Sequence, residues 1–132
     1  MHKVRIVENI ISFDFDGTLD DDFDGTLNIQ KDEIQTICKE LINQGKNVYI
    51  ITKRYDNNTF PGESEKVYEL AKELGIKDVY FTNRELKHTK VQELGIQVHF
   101  ENDSYEAEVI QNHNHSTLVV NVEDPYWRDL VY

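Results

Sequence analysis

Ile10-Ile11-Ser12-Phe13-Asp14-Phe15-Asp16-Gly17-Thr18-Leu19 is the stretch that decides the fold. Ile10, Ile11, Phe13 and Phe15 suit a strand covered on both faces, as strands of parallel sheets are. Side chains alternate along a strand, so Asp14 and Asp16 project on the same side. Gly17 lets the backbone turn directly after them. Two carboxylates about 4 Å apart repel by roughly 1–4 kcal/mol, depending on the effective dielectric. Such a pair gives a strand end no stability. A bound cation, or a proton shared for chemistry, accounts for it.

Outward from this strand, expected over residues 9–15, apolar runs alternate with helical periods. Residues 1–7 are read as a short extra strand or a frayed end. Asp20-Asp21-Asp22-Phe23-Asp24-Gly25-Thr26-Leu27 is polar and turn-rich, which predicts a small surface flap over the strand end. Ile34, Ile37, Cys38, Leu41 and Ile42 repeat at helical spacing, and Gly45 stands where that helix should stop. Val48-Tyr49-Ile50-Ile51 is a second strand ending on Thr52, with a polar loop after it over residues 53–60. Val67, Leu70, Ala71 and Leu74 mark a second helix, with Pro61 near its start. Val79-Tyr80-Phe81 is a third strand. A short helix over residues 87–94 leads to a fourth strand, Val98-His99-Phe100. Ser104 is read as the N-cap of a last helix, and Leu118-Val119-Val120 as a fifth strand after it. The aromatic, acidic tail over residues 123–132 is expected to pack loosely on the surface. Alternating strands and helices predict an α/β, Rossmann-like three-layer domain over residues 1–132, with a parallel five-stranded sheet covered on both faces.

The formal net charge is -11, which repels nucleic-acid backbones and anionic lipid and makes nucleic acid an unlikely partner. No apolar run approaches the roughly 20 residues of a membrane span. Met1-His2-Lys3-Val4-Arg5 is basic, but Glu8 and Asp14 break up the apolar residues after it, so no secretory signal is read there. The single cysteine, Cys38, lies on an apolar helix face and reads as a small buried hydrophobe; it fits a reducing cytoplasm.

Ligands of open parallel sheets bind beyond the carboxyl ends of the strands. There the sequence places Asp14 and Asp16, then Thr52 with Lys53 and Arg54, then Thr82, Asn83, Arg84 and Lys87, then Glu101, Asn102 and Asp103. A phosphate monoester with magnesium needs these kinds of group: carboxylates for the metal, a hydroxyl and an ammonium for the phosphate, and an acid–base for the leaving group. Asp-Phe-Asp-Gly-Thr-Leu after an apolar strand resembles the first motif of the haloacid dehalogenase-like hydrolases. The order of the other residues, over about residues 10–110, is similar to that family too. The resemblance implies a magnesium-dependent phosphomonoesterase acting through an aspartyl phosphate on a phosphorylated small molecule. It puts Asp14 in the nucleophile position and Asp16 in the acid–base position. Thr52 and Lys87 would hold the transferred phosphoryl group, with Lys53, Arg54 and Asn83 near the substrate. Magnesium would be held by Asp14, Asp16, Asn102 and Asp103. The fourth motif departs from the usual paired aspartates: Asn102 takes the first position, Asp103 the second, and Glu101 is an alternative ligand. The connections after strands one and three leave no room for the substrate-binding cap of other members.

Other assignments stay open on the sequence. Lys90 competes with Lys87 on the same short helix. His99 alternates with Val98 and Phe100 and reads as structural. His113 and His115 sit in a polar loop that is more simply solvated than metal-binding. Asp22-Phe23-Asp24-Gly25-Thr26-Leu27 repeats the motif, but no buried strand precedes it, so the first copy is assigned the chemistry. A response-regulator receiver also uses acids, Thr and Lys, but needs an acid after its third strand, where Phe81-Thr82-Asn83 stands. A degenerate relative that only binds magnesium or phosphate, or another protein, is the alternative to catalysis. Tyr126, Trp127 and Tyr132 offer a surface for a homo-oligomer.

Overall fold

The apolar run becomes β1, Ile10–Phe13. The computed structural model describes residues 3–132, and in it β1 is the middle strand of five. β2 (Asn47–Thr52) pairs with it on one side, and β4 (Val98–Glu101) on the other. β3 (Asp78–Phe81) and β5 (Leu118–Asn121) are the edges, so the order is β3-β2-β1-β4-β5 with every pairing parallel. Parallel neighbours need crossover connections, which α1 (Lys31–Asn43), α2 (Glu65–Leu74), α3 (His88–Leu94) and α4 (Ser104–His113) supply. This is the α/β, Rossmann-like architecture that the alternation of periods predicts.

Strand alternation divides the interior into two layers. Ile11, Phe13, Val48, Ile50, Val98 and Phe100 point to the side covered by α1 and α2. Phe13 and Phe100 stack there with centroids 4.4 Å apart, worth about 0.5–1.5 kcal/mol beyond their burial. Ile51, with Val91 of α3 and Ile110 of α4, forms a smaller cluster on the other side. Ser12 and His99, register partners on β1 and β4, fall between these apolar residues and are fully buried. The sheet thus carries a polar core at its centre, on the α3–α4 face.

Three local expectations change. The first strand stops at Phe13 rather than running through Phe15. Beyond Asp14 the chain winds into a turn, with Gly17 at φ +76° and Asp20 N–H donating to the Phe15 carbonyl at 3.1 Å. Asp103, not Ser104, caps α4: its Oδ1 accepts from the N–H groups of Tyr105 at 2.9 Å and Glu106 at 3.2 Å. The tail is not loose. Trp127–Leu130 forms a 3-10 turn that seats Trp127 and Val131 in the main core. Its hold is polar as well as apolar: Trp127 Nε1 donates to Gln30 Oε1 at 2.9 Å, and Arg128 forks onto Glu33. Trp127 is therefore not an exposed oligomer contact. Of residues 1–7, Met1 and His2 lie outside the described residues; Val4 and Ile6 are buried in the core without joining the sheet.

Candidate active site

β1 and β4 are neighbours, yet the chain leaves β1 toward α1 on one face and β4 toward α4 on the other. A crevice opens where such connections diverge, beyond the carboxyl ends of the strands. Asp14 stands at that point. Its N–H extends the ladder to the Phe100 carbonyl at 2.9 Å, and its carboxylate is buried. Lys87, the residue before α3, reaches it: Nζ lies 2.6 Å from Asp14 Oδ1 and 2.8 Å from Glu101 Oε1. The Thr18 hydroxyl donates to Asp14 Oδ2 at 3.2 Å. Lys90 instead pairs on the surface with Glu93, so the structure brings Lys87, not Lys90, to the strand ends.

Burial, then the charge of Glu101, pushes the Asp14 carboxyl up to about 7, although Lys87 pulls the other way. Burial raises Glu101 too, against the same ammonium. Burial alone would lower Lys87, but the two carboxylates outweigh it and hold Lys87 above the ordinary lysine value. His99 is held down to about 3 by burial and by the Lys87 charge, so its imidazole is neutral at neutral pH. Its Nδ1 lies 2.6 Å from Ser12 Oγ and its Nε2 2.9 Å from Glu101 Oε1. An ionised Glu101 only accepts, which puts the proton on Nε2 and makes the contact a hydrogen bond rather than an ion pair. A buried chain therefore runs Ser12–His99–Glu101–Lys87–Asp14.

An open cleft of about 230 Å³ covers this cluster. Asp14, Asp16, Thr52, Lys53, Lys87, Asn102 and Asp103 all line it, as the strand-end placement predicts. Thr52 is buried, and its Oγ1 accepts from the Arg54 N–H at 3.2 Å, which leaves its own proton for a ligand. Lys53 Nζ is 3.5 Å from Glu106 Oε2. That is ion-pair range without a hydrogen bond, and Glu106 Oε2 is a buried oxygen with no hydrogen-bond partner. Asp16 is gripped by Arg54. Asn102 packs against Gly17, where a Cβ would overlap both the Asn102 amide and the Asp22 carboxylate. Glycine is thus required there twice, by φ and by space. Asn83 is not in the lining; at φ +54°, its Oδ1 accepts from the Asp56 N–H at 3.1 Å and ties down the loop after β2. Asp103 lines the cleft with one oxygen engaged in capping α4.

His99 and Glu106 join the cluster although the order of motifs does not assign them to it, and Glu101, read as an alternative metal ligand, accepts from the Lys87 ammonium. A signal exists for two of them. His99 and Glu101 lie two apart on one face of a strand with no free side, so both need buried partners.

Among the described residues, no group of three or more His, Cys, Asp and Glu side chains stands ready to hold a metal ion. The donor chemistry nevertheless suits a hard cation. Six carboxylates line the cleft against two ammonium groups, and one of their oxygens, Glu106 Oε2, has no hydrogen bond and only the Lys53 ammonium at 3.5 Å. His113 ends α4 rather than lying in a loop, and its ring stacks on that of His88 with centroids 4.2 Å apart. No helix among the described residues is long and apolar enough to cross a membrane. The chain matches no family model, no curated protein and no solved structure.

Proposed function

We propose that this chain is a magnesium-dependent phosphomonoesterase of the haloacid dehalogenase-like type, acting through an aspartyl phosphate on Asp14. The observation that carries the proposal is the buried Lys87 ammonium, 2.6 Å from an aspartate at the end of the central strand. A buried cation on a carboxylate gains little stability over an apolar pair. It does hold a nucleophile in place and balance an incoming phosphoryl group.

In this reading the phosphoryl group sits in the cleft between Lys87 and the Thr52 hydroxyl. Asp14 Oδ2 attacks phosphorus, and the bond to the leaving oxygen breaks. Asp16 gives that oxygen a proton. Asp16 then takes a proton from water, the water attacks the aspartyl phosphate, and inorganic phosphate leaves with Asp14 restored. Asp14, the Asp16 backbone carbonyl and Asn102 would hold magnesium, completed by water. When bound, the ion neutralises charge on the phosphoryl oxygens and keeps Asp14 ionised at neutral pH. Glu101 and His99 act from behind, fixing the Lys87 ammonium.

The test is phosphate release from p-nitrophenyl phosphate, with magnesium and with chelator. Metal-dependent turnover is expected, falling by about 10³-fold or more in Asp14→Asn. Turnover that survives in Asp14→Asn refutes the nucleophile assignment. Two observations favour a second reading, a phosphate- or magnesium-binding relative without turnover: Asn102 stands where an acid is usual, and both Asp16 oxygens are engaged by Arg54. That reading predicts magnesium binding by calorimetry and no hydrolysis.

A further inference from the structure

We propose that Arg54 sets the substrate class: it takes a second anion, a carboxylate or a phosphate on the leaving-group side of a phosphomonoester, and thereby releases Asp16. The proposal rests on the phosphatase reading above. Its basis is the state of Asp16. Arg54 Nε donates to Asp16 Oδ2 at 3.0 Å, and Nη2 donates to Oδ1 at 2.8 Å. Both oxygens are tied in one fork. To pass a proton to a leaving group, Asp16 has to give up part of that fork.

Arg54 is built in rather than a roaming surface charge. Its side chain is 11% exposed, and Nη1 donates to the Glu63 carbonyl at 2.8 Å. Its guanidinium lies over the rings of Phe15, at 5.1 Å, and Phe23, at 4.8 Å. Stacking on aromatic faces holds the plane of a guanidinium and leaves it free to shift within that plane. The fork can therefore exchange the Asp16 carboxylate for another anion of matching shape without losing either ring. Carboxylate and phosphate oxygens both match it bidentately. A neutral alcohol leaving group offers nothing to exchange, so Asp16 stays paired, and only a group acidic enough to leave without a proton, as p-nitrophenol is, departs readily.

A second arginine stands near the same ring. Arg84 lies 5.4 Å from the Phe23 ring and 4.8 Å from the Tyr55 ring. Its backbone at φ +69° is held by its own N–H, which donates to the Lys53 carbonyl at 2.7 Å. Non-glycine residues in that region are strained, and here Arg84 is tied down by Nη2 donating to Glu63 Oε2 at 2.9 Å and Nη1 donating to the Lys53 carbonyl at 3.0 Å. In a chain of net charge -11, Lys53, Arg54 and Arg84 each meet one carboxylate, Glu106, Asp16 and Glu63, and of the three Lys53 lines the cleft. Phe23, which is 58% exposed, comes from the second Asp-Phe-Asp-Gly-Thr-Leu copy and is the ring both arginines share. That copy's place in the molecule is to hold the selecting arginine.

The experiment compares kcat/KM for three matched probes: glycerol phosphate, phosphoglycerate and propanediol bisphosphate. Wild type is expected to prefer one of the two doubly anionic probes over glycerol phosphate by about tenfold or more. Preference for phosphoglycerate identifies a carboxylate, and preference for the bisphosphate a phosphate. In Arg54→Met the ratio should fall to near one, whatever happens to the absolute rates. Arg54→Lys keeps the charge and loses the fork; it should lose most of the preference, and it serves if Arg54→Met does not fold. No preference in wild type, or a preference that persists in both variants, overturns the proposal while leaving the phosphatase intact. Wild type that fails on p-nitrophenyl phosphate as well as on all three probes overturns the phosphatase reading, and this proposal with it.

Discussion

Replacing Lys87 with Met keeps most of the side chain's bulk and deletes its charge. Lys87 is 1% exposed and its ammonium serves two carboxylates, at 2.6 Å and 2.8 Å. Breaking a buried pair by removing one partner costs about 3–5 kcal/mol, because the other charge is left uncompensated. Whole domains are stable by about 5–15 kcal/mol, so the loss is a large share. Its pH dependence is the sharper signature. Burial already raises Asp14 to about 7 and raises Glu101, and Lys87 lowers both. Without Lys87 both folded values rise further while the unfolded values stay in the ordinary carboxylate range. A carboxyl raised on folding favours the folded state at acid pH, and that advantage is lost as pH rises through the folded value. The Lys87→Met deficit should therefore be small near pH 5, about 1 kcal/mol, and reach about 3 kcal/mol or more at pH 8. Urea unfolding monitored by fluorescence of Trp127, the single buried tryptophan, reads both values. Lys90→Met, which removes the exposed pair with Glu93, should cost about 0.5 kcal/mol or less. A Lys87→Met loss below about 1 kcal/mol at pH 8, or one that does not change with pH, would refute the buried triad.

The same structure makes three further outcomes testable. In chelator and relative to wild type, His99→Gln should lose stability from about pH 4 to pH 7, because the raised Asp14 and Glu101 carboxyls then act without the opposing histidine. In wild type this trend is opposed by His99, whose lowered value makes stability fall as pH drops below about 6.5; a variant that gains stability relative to wild type on going from pH 4 to 7 contradicts both assignments. Trp127→Ala should cost about 3–5 kcal/mol by circular dichroism in urea, against about 0.5 kcal/mol or less for the exposed Tyr126→Ala. Gly17→Ala combines a positive φ with overlap on Asn102 and Asp22; it should cost more than about 1 kcal/mol and reduce any magnesium-dependent turnover, and a neutral effect on both would refute the close packing.

The sheet is legible in the sequence because buried parallel strands are short apolar runs and their helices keep a clear period. The meeting of Asp14, Thr52 and Lys87 is legible because residues that follow parallel strands gather at one edge of the sheet. What escapes depends on long-range pairing. Trp127 reads as part of a polar tail because its partners, Gln30 and the main core, come from the other end of the chain. His99 reads as merely structural because its role depends on Ser12 across the sheet and on Glu101 two residues on. Asp103 is expected as a metal ligand, yet one of its oxygens faces two α4 amides that no motif reveals. Arg54 is placed near the substrate by its position after Thr52, but its fork on Asp16 needs the turn after β1 and the loop after β2 to meet.

The most direct measurement is to incubate the protein with p-nitrophenyl phosphate and magnesium, quench in acid, and locate any phosphoryl group by peptide mass spectrometry. Asp16→Asn should be used alongside wild type, since in the proposed mechanism loss of Asp16 slows breakdown of an aspartyl phosphate. The account predicts a phosphoryl group on Asp14, more abundant in Asp16→Asn and absent from Asp14→Asn. A phosphoryl group on Asp22, or turnover with no covalent species in either protein, would contradict it.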